Sequence, residues 1–160
     1  MRLLALPILA AALLLAGCGD GDESPVASPQ SPEEESSAVV AEKGTRITLG
    51  DSDFGSMLFG SNDQAIYIFE NDPKGETVCY DECAEAWPPV FTDGKPQAAK
   101  GVKASLLGSV KRRDGRLQVT YAGQPLYFYA HEGPGEVRCH NVDLNGGLWW
   151  VVGPDGKRRP

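Results

Sequence analysis

The chain has 160 residues, enough for one ordinary domain, and a formal net charge of −7. This acidic balance argues against a nucleic-acid partner, because phosphate binding depends on concentrated Lys and Arg. The 19 Gly and 12 Pro residues predict many turns, which separate short strands better than they interrupt long helices.

The amino-terminal segment predicts export. Met1-Arg2 and the apolar run from Leu3 to Leu15 have the form of a secretory signal, and the run is short for a membrane span. Residues 15–18, Leu-Ala-Gly-Cys, resemble the lipobox of bacterial lipoproteins. The resemblance implies removal of residues 1–17 and anchoring to a membrane by acyl chains on Cys18, facing the periplasm or the cell exterior. A plain secretory signal with an accidental Cys18 is the alternative.

Residues 18–43 carry the lipidated Cys18 and an acidic tether. The segment is rich in Ser, Pro, Glu, Asp and Ala and has no aromatic residue. Such a composition buries too little apolar surface to offset the entropy of ordering, so we expect a disordered spacer. A β domain is then expected over residues 44–160.

Short strands dominate this domain in the order of the chain. Alternating, β-branched and aromatic patterns predict strands at 45–49, 56–59, 65–69, 116–121, 125–129 and 148–152. Gly50 and the residues after it predict a turn, as do residues 113–115. A helical turn is expected at 83–86, and residues 91–110 are expected to form a loop with a short helix at 103–107.

The strand at 65–69 returns sixty residues later. Tyr67 corresponds to Tyr127, Phe69 to Tyr129 and Cys79 to Cys139, and after a two-residue slip 87–90 corresponds to 149–152. Tyr67 and Phe69 share one face of their strand, whereas Ile66 and Ile68 lie on the other, so this strand is expected to be buried on both sides. We predict an all-β fold in which two pseudo-symmetric repeats, about 50–90 and 110–152, form one sandwich or small barrel.

These motifs resemble the bacterial lipoproteins with a duplicated Y-x-F/W/Y-x-x-D motif, also called secreted repeats of unknown function. Tyr67 to Asp72 match the motif in full, but the second copy ends in Glu132, and Cys139 stands where the family's second repeat ordinarily has no cysteine. The resemblance implies export and brings no settled activity.

The motif residues are the candidate binding set: Tyr67, Phe69, Asp72, Tyr127, Tyr129 and Glu132. The aromatic pairs are large enough to be core packing alone. In the functional interpretation, the phenols and carboxylates meet in a pseudo-symmetric cleft that holds a polar ligand.

The cysteines allow a second interpretation. Cys79 and Cys83, outside the cytoplasm, are expected to form a disulfide, and a redox-active pair is the alternative. Cys139, with His140 and His131, offers a soft-metal site such as copper, although adjacent strand residues point to opposite faces. No C-x-x-C-H haem motif is present, and we expect no cofactor.

No Ser or Cys stands beside a His in a motif typical of a catalytic base, so we do not expect an enzyme. The sequence favours a non-catalytic binding or accessory module of the cell envelope, with an envelope protein as its partner. The alternative is an extracytoplasmic redox or copper-handling protein that uses Cys79, Cys83, Cys139 and His140. A hydrolase of envelope polymers ranks third.

Overall fold

The computed structural model describes residues 44–160, so the predicted signal peptide, the predicted lipidation site Cys18 and the predicted acidic tether lie outside the described residues. In the first half of the described chain the elements are β1 (Arg46–Ser52), β2 (Gly55–Gly60), β3 (Tyr67–Phe69), α1 (Glu82–Ala86), β4 (Phe91–Thr92) and β5 (Gln97–Ala98). In the second half they are a 3-10 turn (Ala104–Leu106), β6 (Leu107–Lys111), β7 (Leu117–Tyr121), β8 (Gln124–Pro125), β9 (Val142–Leu144) and β10 (Gly147–Val151).

The strands form three small sheets. β1 lies between β2 and β5, β10 lies between β3 and β9, and β7 pairs with β4, β6 and β8. The described strands form a sandwich-like arrangement and do not close into a barrel. The all-β prediction is confirmed, and the sandwich is the correct one of its two forms.

Two hydrophobic clusters lie on opposite sides of β3. Tyr67 and Phe69 belong to a cluster rich in aromatic rings, and Ile66 and Ile68 belong to a mainly aliphatic cluster. All four side chains are buried. Since neighbouring strand residues point to opposite faces, the sequence pattern correctly predicted a strand buried on both sides.

A pseudo-twofold axis passes between Tyr67 and Tyr127. Each residue donates its N–H to the other's carbonyl oxygen, and both N···O distances are 2.9 Å. The same symmetry relates the bond from Gly75 N–H to the Gly123 carbonyl, 2.7 Å, and the bond from Gly135 N–H to the carbonyl of Asp63, 2.8 Å. The two repeats therefore meet through reciprocal main-chain bonds.

Each repeat supplies its last strand to the other repeat. β10 of the second repeat pairs with β3 of the first, with Val151 opposite Tyr67. Likewise Pro89 of the first repeat lies opposite Tyr127 of the second. Proline is tolerated there because the bonds on either side come from Val90 N–H and Phe128 N–H, so the position needs no donor.

The second repeat has a one-residue insertion before β7 and a one-residue deletion after it, which the sequence comparison missed. Ile47 pairs with Gly60 and Leu107 pairs with Tyr121, so β1 and β6 are offset by 60 residues but β2 and β7 by 61. The turn before β7 has one more residue than its counterpart, and the turn after β7 has one fewer. The single sixty-residue spacing that relates Tyr67 to Tyr127 therefore does not hold within β7.

Other errors concern the positions of strands. β1 continues through Gly50, where a turn was predicted, and Gly50 pairs with Met57 of β2. The glycine serves packing there, because the Phe59 ring lies 2.8 Å from the place that a Cβ would take. The predicted loop at 91–110 contains β4, β5 and most of β6. The short helical segments at 82–86 and 104–106 agree with the predictions to within a residue or two.

Candidate functional site

The tyrosine of each motif binds the carboxylate of the other motif. The Tyr67 hydroxyl donates to Glu132, with O···O distances of 2.8 Å to Oε1 and 2.9 Å to Oε2. The Tyr127 hydroxyl donates to Oδ2 of Asp72 at 2.6 Å. We call these two contacts the crossed pairs. They connect the repeats through side chains, as the reciprocal Tyr67 and Tyr127 bonds connect them through the main chain.

Main-chain donors complete both crossed pairs. The N–H of Val78 donates to Oδ1 of Asp72 at 2.7 Å, and the N–H of Arg138 donates to Oε1 of Glu132 at 2.6 Å. Both carboxylates are buried, with relative exposures of 4% and 7%. Each carboxylate therefore holds the loop that follows its own motif as well as the tyrosine of the other motif.

Burial determines the protonation of the crossed pairs. It raises the pKa of Asp72 and of Glu132 above their usual values, and the hydrogen bonds that each carboxylate accepts oppose the shift. Burial, and then the facing carboxylate, raises the pKa of Tyr67 and of Tyr127. The phenols therefore remain protonated donors, unsuited to act as bases.

A buried arginine makes the two pairs unequal. Arg112 is 4% exposed and donates to the Gln118 side chain at 2.6 Å and to the Cys79 carbonyl at 2.7 Å. Its positive charge lowers the pKa of Asp72, against the larger effect of burial. The positions that match Arg112 and Gln118 in the first half are Ser52 and Met57, so Glu132 has no corresponding cation.

Six aromatic rings pack together at the crossed pairs, and two of them are the tyrosines of those pairs. Trp87 and Trp149 are stacked, with ring centroids 3.8 Å apart and planes at 3°. Tyr67 meets Trp87 edge-on at 5.3 Å, and Tyr127 meets Trp149 edge-on at 5.2 Å. Phe69 lies 4.4 Å from Trp149, and Tyr129 lies 4.6 Å from Trp87. This cluster fills the interior on one side of β3.

The structure thus brings together the six residues that the sequence singled out. Their carboxylates and phenols meet across the pseudo-twofold axis, as the functional interpretation required. Asp72, Glu132, Tyr67 and Tyr127 are nevertheless buried and bonded to one another. The geometry favours the core-packing interpretation of these side chains.

The predicted disulfide between Cys79 and Cys83 is confirmed. Cys139, the counterpart of Cys79, is a free thiol with 6% exposure. Burial, and then the charge of Glu132, raises the pKa of the Cys139 thiol. A protonated buried thiol is a poor nucleophile and a poor metal ligand.

The two histidines contact aromatic rings. His140 packs against Phe54 at 4.1 Å and Trp150 at 5.5 Å, and His131 meets Tyr129 edge-on at 5.4 Å. Within residues 44–160, no three His, Cys, Asp or Glu side chains lie together in an arrangement that could hold a metal ion. The geometry gives no support to the copper-handling alternative.

A surface cleft of about 320 Å³ lies beside α1, β4 and the turn between β6 and β7. Its walls include Tyr80, Pro89, Phe91, Arg113 and Arg116. The Arg113 guanidinium lies 3.9 Å from the Tyr80 ring centroid, and that of Arg116 lies 3.2 Å from the Phe91 centroid. We call this site the arginine cleft. It combines exposed charge with fixed aromatic surfaces.

Comparison with known proteins assigns the chain to a family. A family model described as a secreted repeat of unknown function matches residues 48–91 and 108–153. The chain belongs to this secreted-repeat family. No match was found among curated proteins or among solved structures.

The two segments matched by the secreted-repeat family contain both tyrosines of the crossed pairs, both carboxylates and the Trp87 and Trp149 positions. Glu132 replaces the second aspartate of the motif and still reaches Tyr67. Membership implies export. Within residues 44–160, no helix has the length and apolar character needed to cross a membrane.

Sequence reasoning missed the arginine cleft in this member of the secreted-repeat family. Its signal was the stretch 111–116, in which four of six residues are basic, although only the turn at 113–115 was recognised. The aromatic walls, Tyr80 and Phe91, come from segments at least twenty residues away, so the local pattern gave no sign of a cleft.

Proposed function

We propose that this chain is a cell-envelope lipoprotein, anchored through acyl chains on Cys18, whose β domain is a non-catalytic binding or accessory module for an envelope protein. Membership of a secreted-repeat family and the lipobox-like residues 15–18 support export and anchoring. The observation that carries the non-catalytic role is the pair of crossed contacts. They engage Asp72, Glu132 and their partner phenols in buried bonds with one another.

Recovery of the native protein from membranes tests this proposal. The chain is cross-linked in cells and purified through an affinity tag appended after residue 160. Mass spectrometry then identifies its partners and its mature amino terminus. We expect a lipidated Cys18 at the amino terminus and one recurrent envelope protein.

The control is the Cys18→Ala variant, which we expect to be released from the membrane fraction. An unmodified Cys18 in the wild type overturns the anchoring. Recovery of the chain alone, at cross-linker levels that capture a known envelope complex, overturns the binding role.

A further inference from the structure

The arginine cleft presents two exposed guanidinium groups, each over an aromatic ring. Arg113 stacks on Tyr80, and Arg116 stacks on Phe91. A stacked guanidinium keeps its planar N–H edges free to bind a carboxylate. Among the described residues, no side chain or carbonyl accepts a hydrogen bond from the Arg116 guanidinium. Arg113 pairs only with Asp81, at 2.7 Å, and both side chains are mostly exposed.

The corresponding place in the other half of the domain is filled by residues 157–160. The pseudo-twofold axis relates Tyr80, Pro89 and Phe91 of the cleft to His140, Val151 and Gly153. The N–H of Arg159 donates to the Val151 carbonyl at 3.0 Å. A main-chain oxygen of Pro160 lies 3.1 Å from Nε2 of His140.

The side chain of Arg159 completes the filling. A Cβ on Gly153 would lie 2.0 Å from the Arg159 guanidinium carbon, so glycine makes room for that group. The same guanidinium donates to the Ser56 carbonyl at 2.9 Å and 3.1 Å. In this half, an extended stretch of the chain itself therefore occupies the symmetry mate of the arginine cleft.

In the arginine cleft, the corresponding main-chain edge at Pro89 has no main-chain partner among the described residues, although Pro89 itself is largely buried at the wall of the cleft. The bonds from Phe128 N–H to the Pro88 carbonyl and from Val90 N–H to the Leu126 carbonyl turn the Pro89 carbonyl away from Tyr127. No donor among the described residues reaches that oxygen. Pro89 thus offers the same acceptor that its counterpart Val151 presents to Arg159.

We propose that the arginine cleft binds an extended peptide that carries a carboxylate. A main-chain N–H of the peptide donates to the Pro89 carbonyl, and the carboxylate accepts from Arg113 and Arg116. Asp81, Glu85 and Asp114 also line the cleft, so it suits a peptide with one carboxylate better than a polyacidic one. This inference rests on the proposed function as a binding module and specifies its ligand.

Fluorescence anisotropy on the full mature chain in detergent micelles tests the cleft. The probe is a dye-labelled, end-blocked pentapeptide of four alanines and one glutamate, and its partner probe has glutamine instead. We expect the glutamate probe to bind at least tenfold more tightly. The double variant Arg113→Gln/Arg116→Gln should lose that preference.

Arg158 provides a matched control on the other half. It is exposed, lies 4.5 Å from the Trp150 ring centroid and pairs with Glu70 at 3.1 Å, as Arg113 does with Tyr80 and Asp81. Arg158→Gln should leave the affinity of the glutamate probe unchanged. Thermal unfolding checks that each variant is folded.

The inference is overturned if the wild type binds the two probes with equal affinity. It is also overturned if Arg158→Gln weakens binding of the glutamate probe as much as the double variant does. Displacement of the probe by acetate alone, at the same affinity as the peptide, would overturn it as well. If the glutamate probe does not bind, while an envelope protein still co-purifies with both the wild type and the double variant, then the peptide proposal for the cleft is wrong and the proposed binding module stands. If neither the probe nor a protein binds, both proposals are wrong.

Discussion

At the scale of single residues, the crossed pairs replace water with protein donors around two buried carboxylates. Asp72 accepts from Tyr127 and Val78, and Glu132 accepts from Tyr67 and Arg138. Hydrogen bonds to charged groups stabilise more than neutral ones, and a buried donor that loses its partner is costly. The carboxylates are therefore expected to matter for folding.

Asp72→Ala should lower the free energy of unfolding by about 3 kcal/mol, because it leaves the Val78 N–H without its acceptor. It also leaves the Tyr127 hydroxyl with Thr77 Oγ1 as its remaining partner. Urea unfolding at neutral pH measures the change. Glu70→Ala is the control: Glu70 is exposed in the same motif, and its pair with Arg158 should contribute less than about 1 kcal/mol. Equal effects of the two substitutions would contradict the structural role of Asp72.

Glu132 should make stability depend on pH. Its pKa is higher in the folded chain than in the unfolded chain because of burial, despite the donors Tyr67 and Arg138 N–H; nearby Glu136 raises it further. Its protonated form therefore stabilises the fold, and this contribution is lost as the pH rises through the folded pKa. We expect wild type to lose stability relative to Glu132→Gln as the pH rises from about 4.

The exposed Glu136 provides a control of opposite sign. The N–H of Gly133 lowers its pKa, and the adjacent Arg138 adds to the effect. Its contribution is present above the unfolded pKa and is lost as the pH falls. Urea unfolding of wild type, Glu132→Gln and Glu136→Gln across this range should give slopes of opposite sign, and a flat difference for Glu132→Gln would refute its assignment.

At the scale of elements, the disulfide spans the entry to α1. Cys79 precedes the helix, and Cys83 lies in its first turn. The helix has only five residues and no side-chain cap, and a segment this short is marginal in isolation. The disulfide therefore fixes a bend that leads directly to Trp87 and the aromatic cluster.

Loss of the disulfide should cost about 2 kcal/mol, as expected for so short a loop. The double variant Cys79→Ala/Cys83→Ala should show this loss in urea unfolding, and reductant should then have no further effect. Cys139→Ala serves as the control, because it should retain the full sensitivity to reductant. An unchanged urea midpoint for the reduced wild type would disagree with a stabilising role.

Some elements were predictable from sequence and others were not. β3 and β10 were predictable from their dense apolar and aromatic residues. Both faces of β3 are buried, and β10 buries Trp149 and Val151 on one face and partly covers the other. β5 and β9 have two and three residues with partly exposed side chains, and they exist through pairing with β1 and β10. A strand this short and this exposed has almost no hydrophobic pattern that the sequence could reveal.

At the scale of the whole molecule, the two repeats cannot be separated into independent halves. β10 completes the sheet of β3, and the segment around Pro89 lies beside Tyr127. The stacked Trp87 and Trp149 join the interior across the pseudo-twofold axis. Each half without the other would lack a strand partner, half of the aromatic cluster and one member of each crossed pair.

Fragments 44–100 and 101–160 are therefore expected to be largely unfolded alone and to form a native-like complex when mixed at equal concentration. Far-ultraviolet circular dichroism and amide NMR spectra of each fragment and of the mixture measure this. The control is each fragment alone, at a concentration equal to the total concentration of the mixture. A well-dispersed NMR spectrum from either fragment alone would show that the halves fold independently.

The sequence by itself determined the strand-rich class, the duplication, the disulfide and the two-sided burial of β3, because alternation, repetition and cysteine spacing are local properties of a chain. Only the tertiary structure decided that Asp72 binds Tyr127 and Glu132 binds Tyr67, that the last strands are exchanged, and that Arg113 and Arg116 face an open cleft. The physical reason is sequence distance: the crossed pairs join residues 55 and 65 positions apart, and no local pattern records which distant groups meet.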